Sequence, residues 1–309
     1  MQITNATLQG LRTTFSKLYQ SAYDVAPTWF DKVSTQYASS SRFNTYGWMN
    51  NLPKMREWMG ERVIHNISEN AYLLVNKKFE LTYGVPRDAI EDDASTLGIY
   101  NEQFADLGRN AKKHPDDLLA TALAQGQNNA CFDGQPFFST THPVNPADPA
   151  GPLGTYSNYS SSGMALTAAN YEAVRAIMMG YKTSGGIPLG LRPNILLVPP
   201  NLEIAAKRIV VSTMVATAAG TAPEDNMLAG SAEIVVAEEL AAYPTTWYLL
   251  CTNRGVKPFV YQLRKPAEFT MLVNLTDPNV FENDEFRFGA YIRDNVGYTL
   301  PFLAYKASA

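Results

Sequence analysis

Residues 100–138 read YNEQFADLGRNAKKHPDDLLATALAQGQNNACFDGQPFF, and this stretch decides the fold. Phe104, Leu107, Ala111, Leu118 and Ala122 recur at steps of three or four residues, or multiples of them. That spacing lines one face of an α-helix. Pro115 sits inside the run, where a proline removes one hydrogen bond and usually kinks or ends a helix. The apolar phase nevertheless carries through it, since Phe104, Ala111 and Leu118 are spaced evenly at seven residues. The spacing predicts one long, kinked helix from Tyr100 to Gly126, with those five residues as its core face. Gly126 is a natural C-cap, and Asp133-Gly134 forms a tight turn before Phe137-Phe138. At 1.5 Å per residue the helix spans roughly 35–40 Å, the width of a small domain, so other elements must lie along it.

Working outward, Phe79, Leu81, Tyr83 and Val85 alternate with Lys78, Glu80, Thr82 and Gly84, the period of a half-buried strand. Residues 62–67 form a second candidate strand, joined to it through a turn region at Ser68-Glu69-Asn70. A two-stranded excursion is marginal alone, and nothing obvious in the same chain covers its apolar face. Residues 1–45 carry Phe15, Tyr19, Tyr23, Trp29, Phe30 and Tyr37 with little period, as an arm that docks either on its own domain or on a neighbour; Leu8 and Leu11 start a short helix. After a proline-rich loop at 139–162, Thr167 caps a helix with Tyr171, Val174, Ile177, Met178 and Tyr181 on one face. Asn194 to Val198 is an apolar strand, and a helix follows from about Leu202 to Met214. Strands are expected at 232–236, 247–252, 259–263, 268–273 and 286–293. The order of elements is that of an α+β fold.

Composition narrows the function. The chain of 309 residues has a net charge of −4, which argues against binding nucleic acid by phosphate neutralisation. Charged residues make up only 17%, against 17 Tyr and 14 Phe, a balance that fits a surface largely covered by partners and equally a soluble protein with an ordinary aromatic core. No stretch approaches the ~20 apolar residues of a membrane span. The two distant cysteines, Cys131 and Cys251, are expected as free thiols.

Motifs for chemistry are scarce, with no glycine-rich phosphate loop, HExxH, CxxC or GxSxG. Cys131, Asp133 and His142 form the one cluster whose residue types suit a nucleophile pair or a metal. Spacing does not make them converge, and the plainer expectation is a buried Cys131 beside a turn with His142 in a loop. The residues therefore point to no catalytic, cofactor or metal site.

Four blocks carry a resemblance. They are YGWMNNLPKMREWMGER (46–62), NKKFELTYGVPRDAIEDD (76–93), HPDDLLATALAQGQNNACFDGQPFFSTTHPV (114–144) and GGIPLGLRPNILLVPPNLEIAAKRI (185–209). In this order they resemble the Mu-like phage major head subunits, major capsid proteins with the Hong Kong 97 phage-type capsid fold. The resemblance implies an N-terminal arm (1–45), an extended β-hairpin loop with its flanks (46–94), a peripheral domain holding the spine helix (95–165 and 246–309) and an axial domain (166–245). It implies a structural protein rather than an enzyme, self-assembling into hexamers and pentamers of an icosahedral head around double-stranded DNA. Trp48, Arg56, Trp58, Phe79, Leu81 and Tyr83 are the inter-subunit contacts expected on that basis. Expected partners are other copies, a scaffold protein in trans, a portal, decoration proteins and weakly held DNA. The subunit would assemble in the bacterial host cytoplasm and reside in the virion. The alternatives are a same-fold cargo compartment or gene-transfer particle, and, from another class, a hydrolase using Cys131, Asp133 and His142.

Overall fold

The computed structural model describes residues 5–49, 69–92, 97–146, 148–183, 185–215 and 224–309. Its helices are α1 (Asn5–Val25), α2 (Phe30–Val33), α3 (Arg87–Asp92), α4 (Leu97–Gln125), α5 (Ala168–Met179), α6 (Glu203–Val210) and α7 (Pro278–Asn283). Its strands begin with β1 (Ser34–Ala38), β2 (Phe43–Met49), β3 (Glu69–Val75), β4 (Lys77–Pro86), β5 (His142–Pro143), β6 (Thr155–Tyr156) and β7 (Tyr159–Ser160). They continue with β8 (Ile195–Val198), β9 (Met214–Val215), β10 (Glu224–Asp225), β11 (Glu233–Val236), β12 (Thr246–Leu250), β13 (Phe259–Leu272), β14 (Glu285–Tyr298) and β15 (Ala304–Ser308). Two larger sheets organise them, ordered β1-β13-β14-β4 and β11-β8-β12-β15-β7.

The second sheet is buried on both faces. Leu196, Val198, Trp247 and Leu249 face a core with Tyr171, Val174 and Met178 of α5. Their neighbours Ile195, Leu197, Tyr248 and Leu250 face a core with Leu119, Leu123 and Phe138. A strand covered on both sides needs apolar residues at every position, which is why β8 and β12 read as continuous apolar runs without alternation. Thr167 caps α5 as expected, accepting from the Asn170 amide.

The long helix is continuous from Leu97 to Gln125 with Pro115 inside it, and it crosses between two cores. Phe104 and Leu107 pack with Leu8, Phe15 and Tyr19 of α1 and with Phe286 and Phe288 of β14. Phe15 and Phe104 stack with centroids 4.0 Å apart. Beyond the proline the buried apolar residues are Leu119, Ala120, Leu123 and Ala124, whereas Leu118 and Ala122 are half-buried, as is Ala111. The expected face is thus corrected by one residue in the second half. The seven-residue step underestimates the drift of the buried stripe, because each half of the helix answers to a different core.

Further expectations are corrected. The strand expected at 62–67 lies outside the described residues; β4 runs antiparallel to β14, with Phe79 opposite Ile292 and Val85 opposite Phe286. Its apolar face therefore has cover within the chain. Val85 is buried, Tyr83 packs on the α1–α4 core, and the Phe79 ring lies 4.4 Å from that of His114. The arm holds a 21-residue helix, α1, much longer than the start at Leu8 and Leu11 suggested. β12 and β15 lie in the same sheet as β8. The two strands expected at 259–263 and 268–273 are one, β13, with register shifts around Lys265. Pro266 occupies this irregular stretch, where a missing N–H is tolerated.

Candidate assembly surfaces

The two-stranded ribbon of β2 and β3 has two unlike faces. Directly opposed residues share a face in an antiparallel pair, and the register sets Asn44 against Leu74 and Tyr46 against Tyr72. This inner face is fastened to the first sheet. Leu74 is 4% exposed and packs on Val260. Tyr46 Oη donates to Gln262 Oε1 at 2.9 Å. The buried Gln262 amide donates in turn to the Leu74 carbonyl at 3.2 Å and to Asn76 Oδ1 at 2.7 Å. Asn76 Nδ2 donates to Ser39 Oγ and the Ser41 carbonyl. Gly297 makes room for this root, since a Cβ there would lie 2.9 Å from both Leu74 Cδ2 and Tyr72 Cε1.

The outer face is apolar and open. Phe43, Leu73 and Val75 are 50%, 56% and 40% exposed. Phe43 stands opposite Val75, and Leu73 opposite Thr45. Two more apolar patches lie elsewhere. Ile204, Val211, Met214 and Met227 are exposed around α6 and β9, and Asn226 ties the Met227 loop to the carbonyls of Ile209 and Ser212. Leu272, Leu275 and Phe281 are exposed where β13 leads through α7 into β14. Single exposed apolar residues are ordinary; grouped ones mark surfaces that meet a partner.

Trp48 lies on β2 opposite Asn70, while Arg56 and Trp58 lie outside the described residues. Leu81 is 39% exposed, and Phe79 and Tyr83 are half-buried inside the chain. An apolar groove of about 300 Å³ separates β4 and β14 from α4, lined by Phe79, Leu81, Ala111, His114 and Ile292. Sequence reading missed Gln262, Asn76 and Gly297, whose importance comes from partners remote in the chain and leaves no local pattern.

Cys131, Asp133 and His142 do converge. Cys131 Sγ donates to Asp133 Oδ1 at 2.9 Å, and His142 Nδ1 lies 2.7 Å from Asp133 Oδ2. His142 is fully buried in β5, so the expectation of a plain loop residue is corrected. Burial, with the neighbouring Asp133 carboxylate, raises the Cys131 thiol well above its ordinary value. Burial also pushes the Asp133 carboxyl up, but the hydrogen bonds from His142 and Cys131 outweigh it and leave the group below the usual range. The thiol and the imidazole each bond to Asp133, and a thiol held protonated is a poor nucleophile. This geometry gives the hydrolase reading no support. Cys251 is buried too, and both cysteines are free.

Comparison with known proteins agrees with an assembly role. The family described as Mu-like prophage major head subunit gpT matches residues 8–165, 159–240 and 239–309. The major capsid protein of Escherichia phage Mu is 29% identical over 298 residues, covering 96% of this chain and 72% of that protein. A chain of the procapsid of bacteriophage JBD30 is 30% identical with a TM-score of 0.57, covering 99% of this chain and 76% of that one. A chain of the JBD30 capsid decorated with minor capsid protein trimers is 29% identical with a TM-score of 0.55, covering 77% of this chain and 99% of that one. Open apolar surfaces on an α+β subunit, no catalytic geometry among the described residues, and a family match from residue 8 to residue 309 converge on a structural role: the chain belongs to the Mu-like prophage major head subunit gpT family, the major capsid proteins of Mu-like phages.

Proposed function

We propose that this subunit builds hexamers and pentamers of an icosahedral head around double-stranded DNA, and that the β2–β3 ribbon is its main reach onto a neighbouring copy. The observation that carries this reading is the open apolar outer face of the ribbon at Phe43, Leu73 and Val75, above a root fixed by Gln262. A lone two-stranded ribbon is marginal in water, and an apolar strand pair with free edges calls for a partner. Within this reading, 1–45 is the arm, 46–94 the extended loop with its flanks, and α4 the spine of a peripheral domain (95–165 and 246–309). The axial domain (166–245) shares a sheet with β12 and β15. Trp48, Arg56, Trp58 and Leu81 are proposed as inter-subunit contacts, while Phe79 and Tyr83 act there through the strand they stabilise. Scaffold in trans, portal and decoration proteins are the proposed partners, with assembly in the host cytoplasm. DNA contact is weak and without sequence preference, given the net charge of −4.

Hydrogen exchange on free subunits and on assembled shells tests the proposal. Amides of 43–49 and 69–75 are expected to exchange faster in the free subunit and to become protected in the shell. Equal protection in both states would contradict a ribbon that docks on a neighbour.

A further inference from the structure

We propose that Cys131, Asp133 and His142 bind one thiophilic divalent cation of the zinc class, pinning the turn after the spine helix to β5. A sulfur, a carboxylate oxygen and an imidazole nitrogen converge here, all within 4.8 Å of one another. These are the donor types zinc takes, in a number that leaves one tetrahedral position for water.

The orientation of His142 is a second observation. Its Nε2 lies 3.2 Å from the Phe137 carbonyl oxygen, so an Nε2–H donates there. Metal-bound histidines are oriented in the same way, by donation of the other ring N–H to a carbonyl or carboxylate. A neutral ring held so turns its Nδ1 lone pair onto Asp133 Oδ2 at 2.7 Å. Two facing lone pairs require a positive centre: a proton bridges them at this distance, and a metal ion in its place parts them to roughly 3.3 Å, the tetrahedral N···O spacing for bonds of ~2.0 Å. The ring is fixed further by stacking on Tyr156, with centroids 5.1 Å apart. The turn is fixed by Gln135 N–H donating to Asp133 Oδ1 at 3.0 Å.

Charge balance favours a divalent ion. The Asp133 side chain is 2% exposed and that of His142 is fully buried. Thiolate, carboxylate, neutral imidazole and a dication sum to zero, which suits a dry site. On binding, the metal forms bonds to Sγ, a carboxylate oxygen and Nδ1. The Cys131 thiol proton and the proton shared by Asp133 and His142 leave to solvent. No redox partner is needed.

The test is metal content and Co²⁺ spectroscopy on the full chain, as free subunit and as shells purified without chelator. One zinc per chain is expected. Chelator-treated protein titrated with Co²⁺ should develop a thiolate-to-cobalt charge-transfer band. Cys131→Ser should abolish the band, Asp133→Asn should weaken binding by roughly tenfold or more, and Cys251→Ser should leave both unchanged. The wild-type titration decides the matter even if Cys131→Ser folds poorly. No bound ion and no charge-transfer band in the wild type would overturn the proposal and leave a hydrogen-bonded cluster only. A band that survives Cys131→Ser in folded protein would also overturn it.

Discussion

Asp116 and Lys306 are two ionisable side chains that the fold puts under unusual strain of charge. Asp116 Oδ1 accepts from the backbone N–H groups of Trp29 and Phe30 at 3.1 and 2.8 Å, holding the end of the arm to α4. Its other oxygen is buried without a partner among the described residues. Burial, aided by Glu239 and Asp117 and opposed by those two N–H groups, raises its pKa to about 7. The carboxyl is therefore easier to ionise in the unfolded chain, so its contribution is fully present below about pH 4 and declines as pH rises to about 7. Asp116→Asn keeps an acceptor for Trp29 and Phe30 and removes the charge. The Tm of the variant relative to wild type is expected to be higher at pH 8 than at pH 4, by roughly 2–4 °C for each kcal/mol involved; thermal unfolding at both pH values checks the sign. Lys306 is 5% exposed, and burial lowers its pKa to about 8. Its ammonium donates to the Ala124 carbonyl at 3.2 Å and to Gln127 Oε1 at 2.8 Å, near the rings of Phe138, Tyr159 and Tyr248. A cation on the last carbonyls of a helix suits its dipole. Lys306→Ala should cost about 2–4 kcal/mol in urea unfolding, through a lost stem and orphaned acceptors. Lys306→Met, which keeps the stem, should cost less.

At the scale of elements, the spine helix makes two sharp comparisons. Leu119 is fully buried and Leu118 half-buried. Leu119→Ala should cost about 2–5 kcal/mol and Leu118→Ala clearly less, as denaturant midpoints will show. Gly108 lets α1 cross α4 closely, because a Cβ there would collide with the Tyr19 carbonyl oxygen. Gly108→Ala should push α1 off the spine, at about 1–3 kcal/mol, and speed proteolysis between α1 and α2. Equal protease resistance would mean the crossing adjusts without loss. Much of this element was legible beforehand: Phe104 and Leu107 follow the helical period, and the phase runs through Pro115. The shift to Leu119 and Leu123 was not, because which face is buried depends on a second core assembled from β8, β12 and Phe138. Likewise the alternation of β4 was visible, but its partner β14 lies some 200 residues away, and a period of two says nothing about which strand is paired. The three members of the Cys131 cluster were visible as types; their convergence depends on the Asp133-Gly134 turn, with Gly134 at φ +80°, and on the packing of β5.

Across the whole molecule, the proposed assembly face lies apart from the surfaces that stabilise the subunit. Val85, Phe286 and Phe288 hold the first sheet to the α1–α4 layer, whereas the side chains of Phe43, Leu73 and Val75 stand outside the buried cores of the described residues and stay open. Replacing Phe43 and Leu73 by serine should leave the unfolding midpoint of the free subunit nearly unchanged. It should weaken shell formation by up to ~2 kcal/mol per side chain at each contact, multiplied over the copies in a shell. Cryo-electron microscopy of shells formed by this chain with its assembly partners tests the central claim most directly. A closed icosahedral shell of hexamers and pentamers is expected, in which the outer face of each β2–β3 ribbon is covered by a neighbouring subunit. A shell in which Phe43 and Leu73 face solvent, with the ribbon lying over its own subunit alone, would contradict it.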